Sequence, residues 1–208
     1  MMALTNLMED KRVRVQEDFG MVKLQKADVD SLSEFKTALQ DSFRVAIEAD
    51  LGQPIEEPIP SDKDIEQSIA EAGAATYWIM ANHQRVGGAV VVIDEISNRN
   101  SLSFFFILTG LQSRGLGLQA WKAIEREYPN TKVWETVTPY FEKRNIHFYV
   151  NRCGFKIVEF YNKFHPDPHQ VSDQVHEEED DDEMFRFMKV MGSESDYNSV
   201  SIHVGLIA

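Results

Sequence analysis

The sequence is poor in cysteine, in basic residues and in long apolar runs. Its 208 residues include one cysteine, so no disulfide can form within the chain, which is typical of a reducing compartment. The 21 lysines and arginines are outnumbered by 34 aspartates and glutamates, for a formal net charge of −13. This shortage of positive charge argues against nucleic acid or an anionic membrane as a partner, because clustered lysines and arginines bind both.

No apolar stretch is long enough to cross a bilayer. The densest ones, residues 86–93 and 102–108, have the length of strands. Residues 1–15 lack the apolar core of a signal peptide. We therefore predict a cytoplasmic protein.

The acidic excess is concentrated in one segment. Residues 177–183 form an unbroken run of seven aspartates and glutamates, without which the net charge would be −6. We interpret the run as a solvated loop, and steering of a basic acceptor towards the protein is the alternative role. The rest of the chain has an ordinary charge for its size.

The pattern of apolar residues predicts a mixed α/β fold. A short strand and two helices occupy residues 20–72, and three strands with short polar loops, typical of an antiparallel meander, follow within residues 76–108. The remaining predicted elements are a helix at about 115–128, a strand at 132–138, a helix at 139–152, and strands at 155–161 and 184–190. The order is β-α-α-β-β-β-α-β-α-β-β, a partly antiparallel central sheet flanked by helices.

This pattern predicts a single domain at residues 21–192. Residues 165–183 are a polar, acidic insertion between the last two strands, residues 1–20 an N-terminal arm, and residues 193–208 a C-terminal tail. Residues 199–204 alternate in polarity, so this part of the tail can pair with an edge strand of the same or another chain, which leaves a homodimer open.

Residues 104–121 are the most informative segment, because a strand leads through a glycine-containing turn into a helix. Such a turn directs several backbone N–H groups at one point, beside the positive end of the helix dipole, and so suits a phosphate group. Gly115 and Gly117 allow close approach of a ligand, although a plain strand-to-helix turn explains these glycines equally well.

Three phosphate-binding motifs compete for this turn. A P-loop is excluded, because no Gly-Lys-Ser/Thr is present. Gly115, Gly117 and Ala120 fit the G-x-G-x-x-G/A pattern of dinucleotide folds, and Glu135 follows 20 residues after Gly115. The antiparallel meander before the turn disagrees with the parallel strands of that fold, so a dinucleotide-binding protein is the less favoured alternative.

The third motif, Gln/Arg-x-x-Gly-x-Gly/Ala, is matched by residues 112–117. Here the chain resembles the GNAT superfamily of N-acetyltransferases. The predicted element order is that of the GNAT fold, residues 132–137 look like the strand after the cofactor helix, and residues 145–155 look like the family's next helix, which ends in Gly-Phe. The resemblance covers about residues 21–191.

The resemblance implies acetyl-CoA as donor and a primary amine, in a small molecule or a peptide, as acceptor. It also implies that the strand before the loop contacts the pantetheine arm, and that the loop amides hold the pyrophosphate. The implied cofactor-binding residues are Phe105, Phe106, Ile107, Gln112, Ser113, Arg114, Gly115, Leu116, Gly117, Leu118 and Asn145.

Two catalytic residues follow from the same resemblance. Glu135 matches a position where the family often carries the general base, and a structural acceptor in the sheet is the alternative. Tyr149 is the candidate acid for the CoA thiolate. The family usually places that tyrosine four residues before the glycine of Gly-Phe, but Tyr149 lies five before Gly154, so its hydroxyl is turned by about 100° unless the helix end is wound differently. A packing aromatic, in a catalytically inactive acyl-CoA sensor or interaction module, is the alternative.

Other residues with chemical potential receive plainer interpretations. Cys153 has no base near it in sequence, and we predict a buried structural residue. His165, His169 and His176 accompany the acidic run, but two prolines disfavour ligand geometry there, and we predict no metal site. The acidic residues around the loop between the first two helices favour a cationic amine as acceptor; they are Glu48, Asp50, Glu56 and Glu57.

Overall fold

The computed structural model describes residues 20–112, 114–168 and 183–192. The strands are β1 (Lys23–Lys26), β2 (Ala74–Ala81), β3 (Gln84–Val92), β4 (Arg99–Ile107), β5 (Val133–Pro139), β6 (Lys156–Tyr161) and β7 (Met184–Val190). The helices are α1 (Leu32–Leu51), α2 (Asp62–Ala70), α3 (Leu116–Glu127) and α4 (Lys143–His147), and a π-helix (Phe148–Cys153) directly follows α4. The order confirms the predicted succession of strands and helices.

The seven strands form one mixed sheet in the order β1-β2-β3-β4-β5-β7-β6. Strands β1 to β4 are an antiparallel meander, β4 pairs with β5 in parallel, and β5, β7 and β6 are again antiparallel. The predicted fold class, a partly antiparallel sheet flanked by helices, is therefore confirmed. The antiparallel strands that precede the glycine turn also disagree with a dinucleotide-binding unit.

Helices α1 and α2 cover one face of the sheet. Phe35 of α1 is fully buried and meets Trp78 and Phe106 edge to face, at 5.2 and 5.3 Å between ring centroids. Gly88 of β3 leaves the room for these rings, since a Cβ atom there would lie 2.4 Å from the Phe35 ring. The start of α2 is fixed by a capping box between Ser61 and Asp64, each side chain accepting a hydrogen bond from the other residue's backbone N–H.

Helix α3 and the π-helix cover the opposite face. Trp121 of α3 is fully buried, with its ring 5.4 Å from that of Trp134 on β5 and 5.0 Å from that of Phe155. Aromatic side chains at such spacing supply much of the apolar burial that fixes a helix against a sheet. This packing sets the position of both helices relative to β4 and β5.

The helix predicted at residues 139–152 begins later than expected and changes its winding. Pro139 is the last residue of β5, where its missing N–H costs no hydrogen bond inside the sheet. The helix begins at Lys143, and its last six residues form the π-helix.

The proposed arm and tail and most of the acidic run lie outside the described residues, so the domain boundaries and the homodimer stay predictions. Across the part of the chain that the structure describes, no helix combines the length and the apolar character that a membrane span requires.

Candidate active site

A cleft lies beside the end of β4, beyond the point where this strand pairs with β5. The two strands pair in parallel over residues 99–101 and 133–135. Just beyond this pairing the Thr136 hydroxyl donates a hydrogen bond of 2.9 Å to the Leu102 carbonyl. From there to Ile107, the edge of β4 that faces β5 has no strand partner among the described residues.

The cleft has a volume of about 480 Å³, a size typical of ligand pockets. Its walls come from α1, the end of β4, the following loop, and the α4 and π-helix segment. The lining residues are Ser42, Phe43, Ala46, Phe105, Phe106, Ile107, Gln112, Gly115, Gly117, Leu118, Glu142, Arg144, Asn145, His147, Phe148, Tyr149 and Arg152.

The glycine loop ends at the N-terminus of α3, beside the cleft. Gly115 precedes the helix with a φ of +79°, a left-handed conformation that glycine adopts at little cost. The Gln112 side chain donates to the Ile107 carbonyl at 3.2 Å and so ties the loop to the end of β4. Because the first N–H groups of a helix lack intrahelical partners, this terminus is suited to an anion.

Most of the residues expected to bind the cofactor line this cleft. They are Phe105, Phe106, Ile107, Gln112, Gly115, Gly117, Leu118 and Asn145. The side chain of Leu116 is turned into the core and is 1% exposed, while Arg114 is exposed in the loop and does not line the cleft. Ser113 lies outside the described residues. The roles of these residues towards a cofactor stay predictions.

Two aromatic rings join the opposite walls. Phe105 of β4 and Phe148 of the π-helix stack at 5.7 Å with an interplanar angle of 13°. Gly117 leaves space for the same ring, since a Cβ atom there would lie 3.2 Å from Phe148. The second glycine of the motif therefore serves packing between α3 and the π-helix as well as access to the cleft.

Tyr149 lines the cleft from within the π-helix. The Gly154 N–H donates to the Tyr149 carbonyl, five residues back, where an α-helix would use Val150. This wider turn takes up the extra residue between Tyr149 and Gly-Phe. The helix end is therefore wound differently from an α-helix, and the role of Tyr149 towards a cofactor stays a prediction.

The surroundings of Tyr149 keep its hydroxyl protonated. The residue is 6% exposed and packs against Phe155 and Phe187 at 5.5 and 5.6 Å. Burial raises the pKa of Tyr149, and a hydrogen bond with the Thr136 hydroxyl offsets only part of that increase. A protonated phenol in the cleft can donate a proton or a hydrogen bond.

Glu135 is not brought into the cleft. One carboxylate oxygen is paired with Arg99 of β4, and the other accepts from Nη2 of Arg186 on β7 at 2.6 Å. Both carboxylate oxygens of Glu135 therefore accept hydrogen bonds from guanidinium groups of the neighbouring strands. The structure favours the alternative already open from the sequence, a structural acceptor within the sheet.

The ion pairs of Glu135 continue into a network at the far edge of the sheet. Nη1 of Arg186 donates to Glu159 of β6 at 2.9 Å, and His165 contacts the other Glu159 oxygen at 2.9 Å. Burial acts to raise the pKa of Glu159, but hydrogen bonds from His165, Arg186 and Tyr161 outweigh it and leave the pKa lowered. The network therefore depends on an ionised Glu159.

We expect Glu159→Gln to lower the free energy of unfolding at pH 7 by about 1 kcal/mol. A pKa that is lowered on folding contributes stability above the ordinary value of 4.5, and that contribution is lost as the pH falls through the folded-state pKa. Urea unfolding between pH 7 and 3.5 should show the gap between the two proteins closing on the acid side. A gap that stays constant would contradict this, and Glu56→Gln, at an exposed site outside the network, is the control.

Cys153 is the buried residue that the sequence predicts. It is 2% exposed, and burial raises its pKa to about 12. Since the thiolate is the nucleophilic form, a raised pKa argues against covalent catalysis by this residue. Two of the three histidines considered for a metal, His169 and His176, lie outside the described residues.

Several side chains that line the cleft were not singled out in the sequence. Helix α1 contributes Ser42, Phe43 and Ala46, which lie on one face of the helix. In the sequence, only the helical periodicity of the apolar residues indicated this face. The α4 and π-helix wall adds Glu142, Arg144, His147, Phe148 and Arg152 to the two residues expected there. Their helical spacing around Asn145 and Tyr149 was the available signal.

The acidic residues thought to favour a cationic acceptor do not line this cleft. Glu48 accepts a hydrogen bond from the Ile55 backbone N–H at 3.3 Å, and Glu56 and Glu57 are exposed. The side chain of Asp50 lies outside what the structure describes. Glu142 is the acidic residue that lines the cleft among the described side chains.

Solved structures share this architecture. An acetyltransferase of Bacillus subtilis in complex with CoA matches with a TM-score of 0.56 and 17% identity, over 83% of this chain and 99% of that one. The ribosomal-protein-S18-alanine N-acetyltransferase of Escherichia coli matches with a TM-score of 0.55 and 12% identity, over 84% and 97%. At this level of identity the likeness concerns the fold.

Sequence comparison identifies a nearer relative and the family. The uncharacterized protein YrkN of Bacillus subtilis (strain 168) is 48% identical over 173 residues, which are 82% of this chain and 94% of that protein. The family model described as "Acetyltransferase (GNAT) family" matches residues 35–155, which include most of α1, the glycine loop and the π-helix. The chain belongs to the GNAT family of acetyltransferases.

Proposed function

We propose that this protein transfers the acetyl group of acetyl-CoA to a primary amine by direct attack of the amine on the thioester. The observation that carries the proposal is the cleft beside the end of β4, which is lined by both the glycine loop and Tyr149. An acyl-CoA needs both an anion site and an extended polar edge, and this cleft offers the two together.

The cofactor is held mainly by backbone groups. The amides at the start of α3, from Gly115 to Leu118, bind the pyrophosphate, and the helix dipole adds to their effect. The unpaired edge of β4, near residues 105–107, hydrogen bonds the pantetheine arm as a further strand would. Asn145 lies on the opposite wall and is placed to contact the same arm.

Tyr149 acts on the leaving group. As the amine nitrogen attacks the carbonyl carbon, the C–S bond breaks and the sulfur leaves as a thiolate. The Tyr149 hydroxyl, which is protonated at neutral pH and whose pKa is raised further by burial, gives that thiolate a proton. The wider turn of the π-helix accommodates the extra residue before Gly154, which supports this role for Tyr149.

The amine must lose a proton to complete the reaction. The resemblance assigned that task to Glu135, which does not line the cleft and whose carboxylate is held by Arg99 and Arg186. Glu142 lines the cleft beside the Tyr149 helix, and we assign the proton acceptor to this carboxylate instead. Comparison of kcat for Glu142→Gln and Glu135→Gln distinguishes the two, since the base variant alone slows turnover at saturating substrate.

The decisive experiment is acetylation of a panel of amines. Thiol release from acetyl-CoA should be measured together with amide formation by mass spectrometry. The panel contains peptides that begin with alanine, because one fold neighbour is a ribosomal-protein-alanine N-acetyltransferase. It also contains polyamines and aromatic amines. Amide formed together with free CoA is the expected result. Binding of acetyl-CoA without transfer to any amine would favour an acyl-CoA-binding sensor. Absence of CoA binding would contradict the assignment of the cleft as a CoA site.

A further inference from the structure

Thr136 is a buried polar residue in the middle of an aromatic core. It lies on β5 and is 6% exposed, with the fully buried Trp134 two residues before it on the same face of the sheet. Its cross-strand neighbour is Phe187 of β7, whose ring lies 5.6 Å from that of Tyr149. A hydroxyl in such surroundings costs free energy unless it is hydrogen bonded, and valine has nearly the same shape without that cost. Packing alone therefore does not account for a threonine at this position.

The Thr136 hydroxyl has two hydrogen-bond partners. It donates to the Leu102 carbonyl at 2.9 Å, and it is hydrogen bonded to the Tyr149 hydroxyl. Leu102 follows the last residue of β4 that pairs with β5, so the bond to its carbonyl joins the two strands where their pairing ends. Because a hydroxyl has one hydrogen and two lone pairs, it can donate to the carbonyl and accept from the tyrosine at the same time.

The same hydroxyl can respond when Tyr149 gives its proton away. In the proposed reaction the C–S bond breaks, the Tyr149 proton moves to the sulfur, and a phenolate oxygen is left in a buried site. Rotation of the Thr136 hydroxyl turns its hydrogen from the Leu102 carbonyl to that oxygen, and no covalent bond of Thr136 is broken. The phenolate then recovers a proton from the solvent, to which the base passes the proton of the amine.

This rotation favours the transfer, because a hydrogen bond to a charged oxygen is stronger than one to a neutral carbonyl. A donor to the phenolate also makes the phenol a stronger acid. That is the direction in which the Thr136 hydrogen bond acts on the pKa of Tyr149, against the larger effect of burial.

We propose that Thr136 is a positioning residue, which holds the Tyr149 hydroxyl in place for proton transfer and stabilises the phenolate that the transfer leaves. The inference rests on the proposed function, because it assumes that Tyr149 protonates the CoA thiolate. Thr136 is not among the residues that line the cleft, so it acts through Tyr149. Its effect on catalysis should therefore disappear when Tyr149 has no hydroxyl.

The test is a double-mutant cycle on kcat with Thr136→Val and Tyr149→Phe, at saturating acetyl-CoA and amine. Thr136→Val removes the hydroxyl and nearly keeps the shape of the side chain. We expect it to lower kcat about 10-fold in the wild-type background, with the KM for acetyl-CoA within about twofold, and to change kcat less than about twofold in the Tyr149→Phe background. Thr136→Ser restores the hydroxyl and should keep at least about a third of the wild-type kcat.

Thr138→Val is the matched control. Thr138 lies two residues further along β5, on the same face of the sheet, and is 4% exposed. Its replacement removes a similarly buried hydroxyl and should leave kcat within about twofold of wild type. Urea unfolding at the assay temperature checks that each variant is folded during the kinetic measurements.

Three kinetic results would overturn the inference. They are an unchanged kcat in Thr136→Val, the same loss of kcat in both backgrounds, and equal losses in Thr136→Val and Thr136→Ser. The second would make Thr136 a structural residue, and the third would assign its effect to shape instead of the hydroxyl.

The hydrogen bond can also be tested without catalysis. A wild type that acetylates none of the amines would contradict the proposed function, and proton NMR would then examine the contact by itself. A slowly exchanging hydroxyl resonance that Tyr149→Phe removes should be kept in Thr138→Val and lost in Thr136→Val. Its persistence in Thr136→Val would contradict the contact between Thr136 and Tyr149.

Discussion

Replacement of Tyr149 by Phe is expected to lower kcat about 100-fold and to leave the KM for acetyl-CoA within about twofold. The change removes one hydroxyl and keeps the ring that packs against Phe155 and Phe187. General acid catalysis typically contributes 10²- to 10⁴-fold, and the lower end is expected where a thiolate can also leave unassisted. Steady-state kinetics with saturating amine measures both constants.

The control is a second buried tyrosine. Tyr161 is 3% exposed, and its hydroxyl donates to Glu159 at 3.0 Å, outside the cleft. Tyr161→Phe removes the same atom from the same kind of environment, so it should leave kcat unchanged and cost only some stability. If Tyr149→Phe kept kcat within threefold of wild type, or raised KM while kcat stayed unchanged, Tyr149 would be a packing residue only.

The pH dependence separates an acid from a merely polar neighbour. Burial raises the pKa of Tyr149, so the hydroxyl stays protonated throughout the neutral range and the wild-type kcat should show no loss of this acid below pH 9. In Tyr149→Phe the thiolate must leave without this proton. Its remaining activity should then depend on the state of the amine and of the base alone.

The fold could be predicted from the sequence because its signals are local. Strand alternation, the capping box at Ser61 and Asp64, and the glycine turn before α3 each involve residues a few positions apart. The loop residues of the cleft followed from the same kind of signal. Such patterns do not depend on which distant element packs against them.

The environment of Glu135 could not be predicted in the same way. Its partners Arg99 and Arg186 lie 36 and 51 residues away and reach it only because β4 and β7 flank β5 in the sheet. The alternation of apolar and polar residues predicted that Glu135 lies on a strand. It gave no information about the side chains that pair with Glu135. The base assignment from the resemblance therefore had no electrostatic information behind it.

The π-helix is an intermediate case. The extra residue between Tyr149 and Gly154 was visible in the sequence and left two outcomes open, a displaced tyrosine or a helix end that is wound differently. The outcome depends on contacts from two other elements. Phe105 of β4 stacks on Phe148, the first residue of the π-helix. Lys189 of β7 donates a hydrogen bond to the carbonyl of Cys153, the last residue of the π-helix.

We expect Lys189→Met to lower the free energy of unfolding by about 3 kcal/mol. The Lys189 ammonium pairs with Glu125 of α3, donates to the Cys153 carbonyl, and lies 5.7 Å from the Trp121 ring. The lysine and glutamate side chains are 15% and 9% exposed, so removal of the cation leaves a mostly buried carboxylate with one partner fewer. Urea unfolding at pH 7 measures the loss.

Lys122 provides a matched control, because it pairs with the same carboxylate from a different environment. Its side chain is 50% exposed and lies three residues before Glu125 on α3. An exposed pair of this kind contributes little, so Lys122→Met should cost about 0.5 kcal/mol. Equal losses in the two lysine variants would contradict a special role for Lys189.

A double-mutant cycle shows how much of the loss belongs to the buried charge. Burial acts to raise the pKa of Glu125, and hydrogen bonds from Lys122 and Lys189 reverse that and leave it lowered. Glu125→Gln in the Lys189→Met background removes the uncompensated charge, so it should recover about 1–2 kcal/mol. The part that is not recovered reflects the Cys153 carbonyl at the end of the π-helix, which has lost the Lys189 donor. Because Tyr149 lies in that turn, the double variant should have a lower kcat than the wild type even at temperatures where it is fully folded. A wild-type kcat under those conditions would show that the end of the π-helix does not affect catalysis.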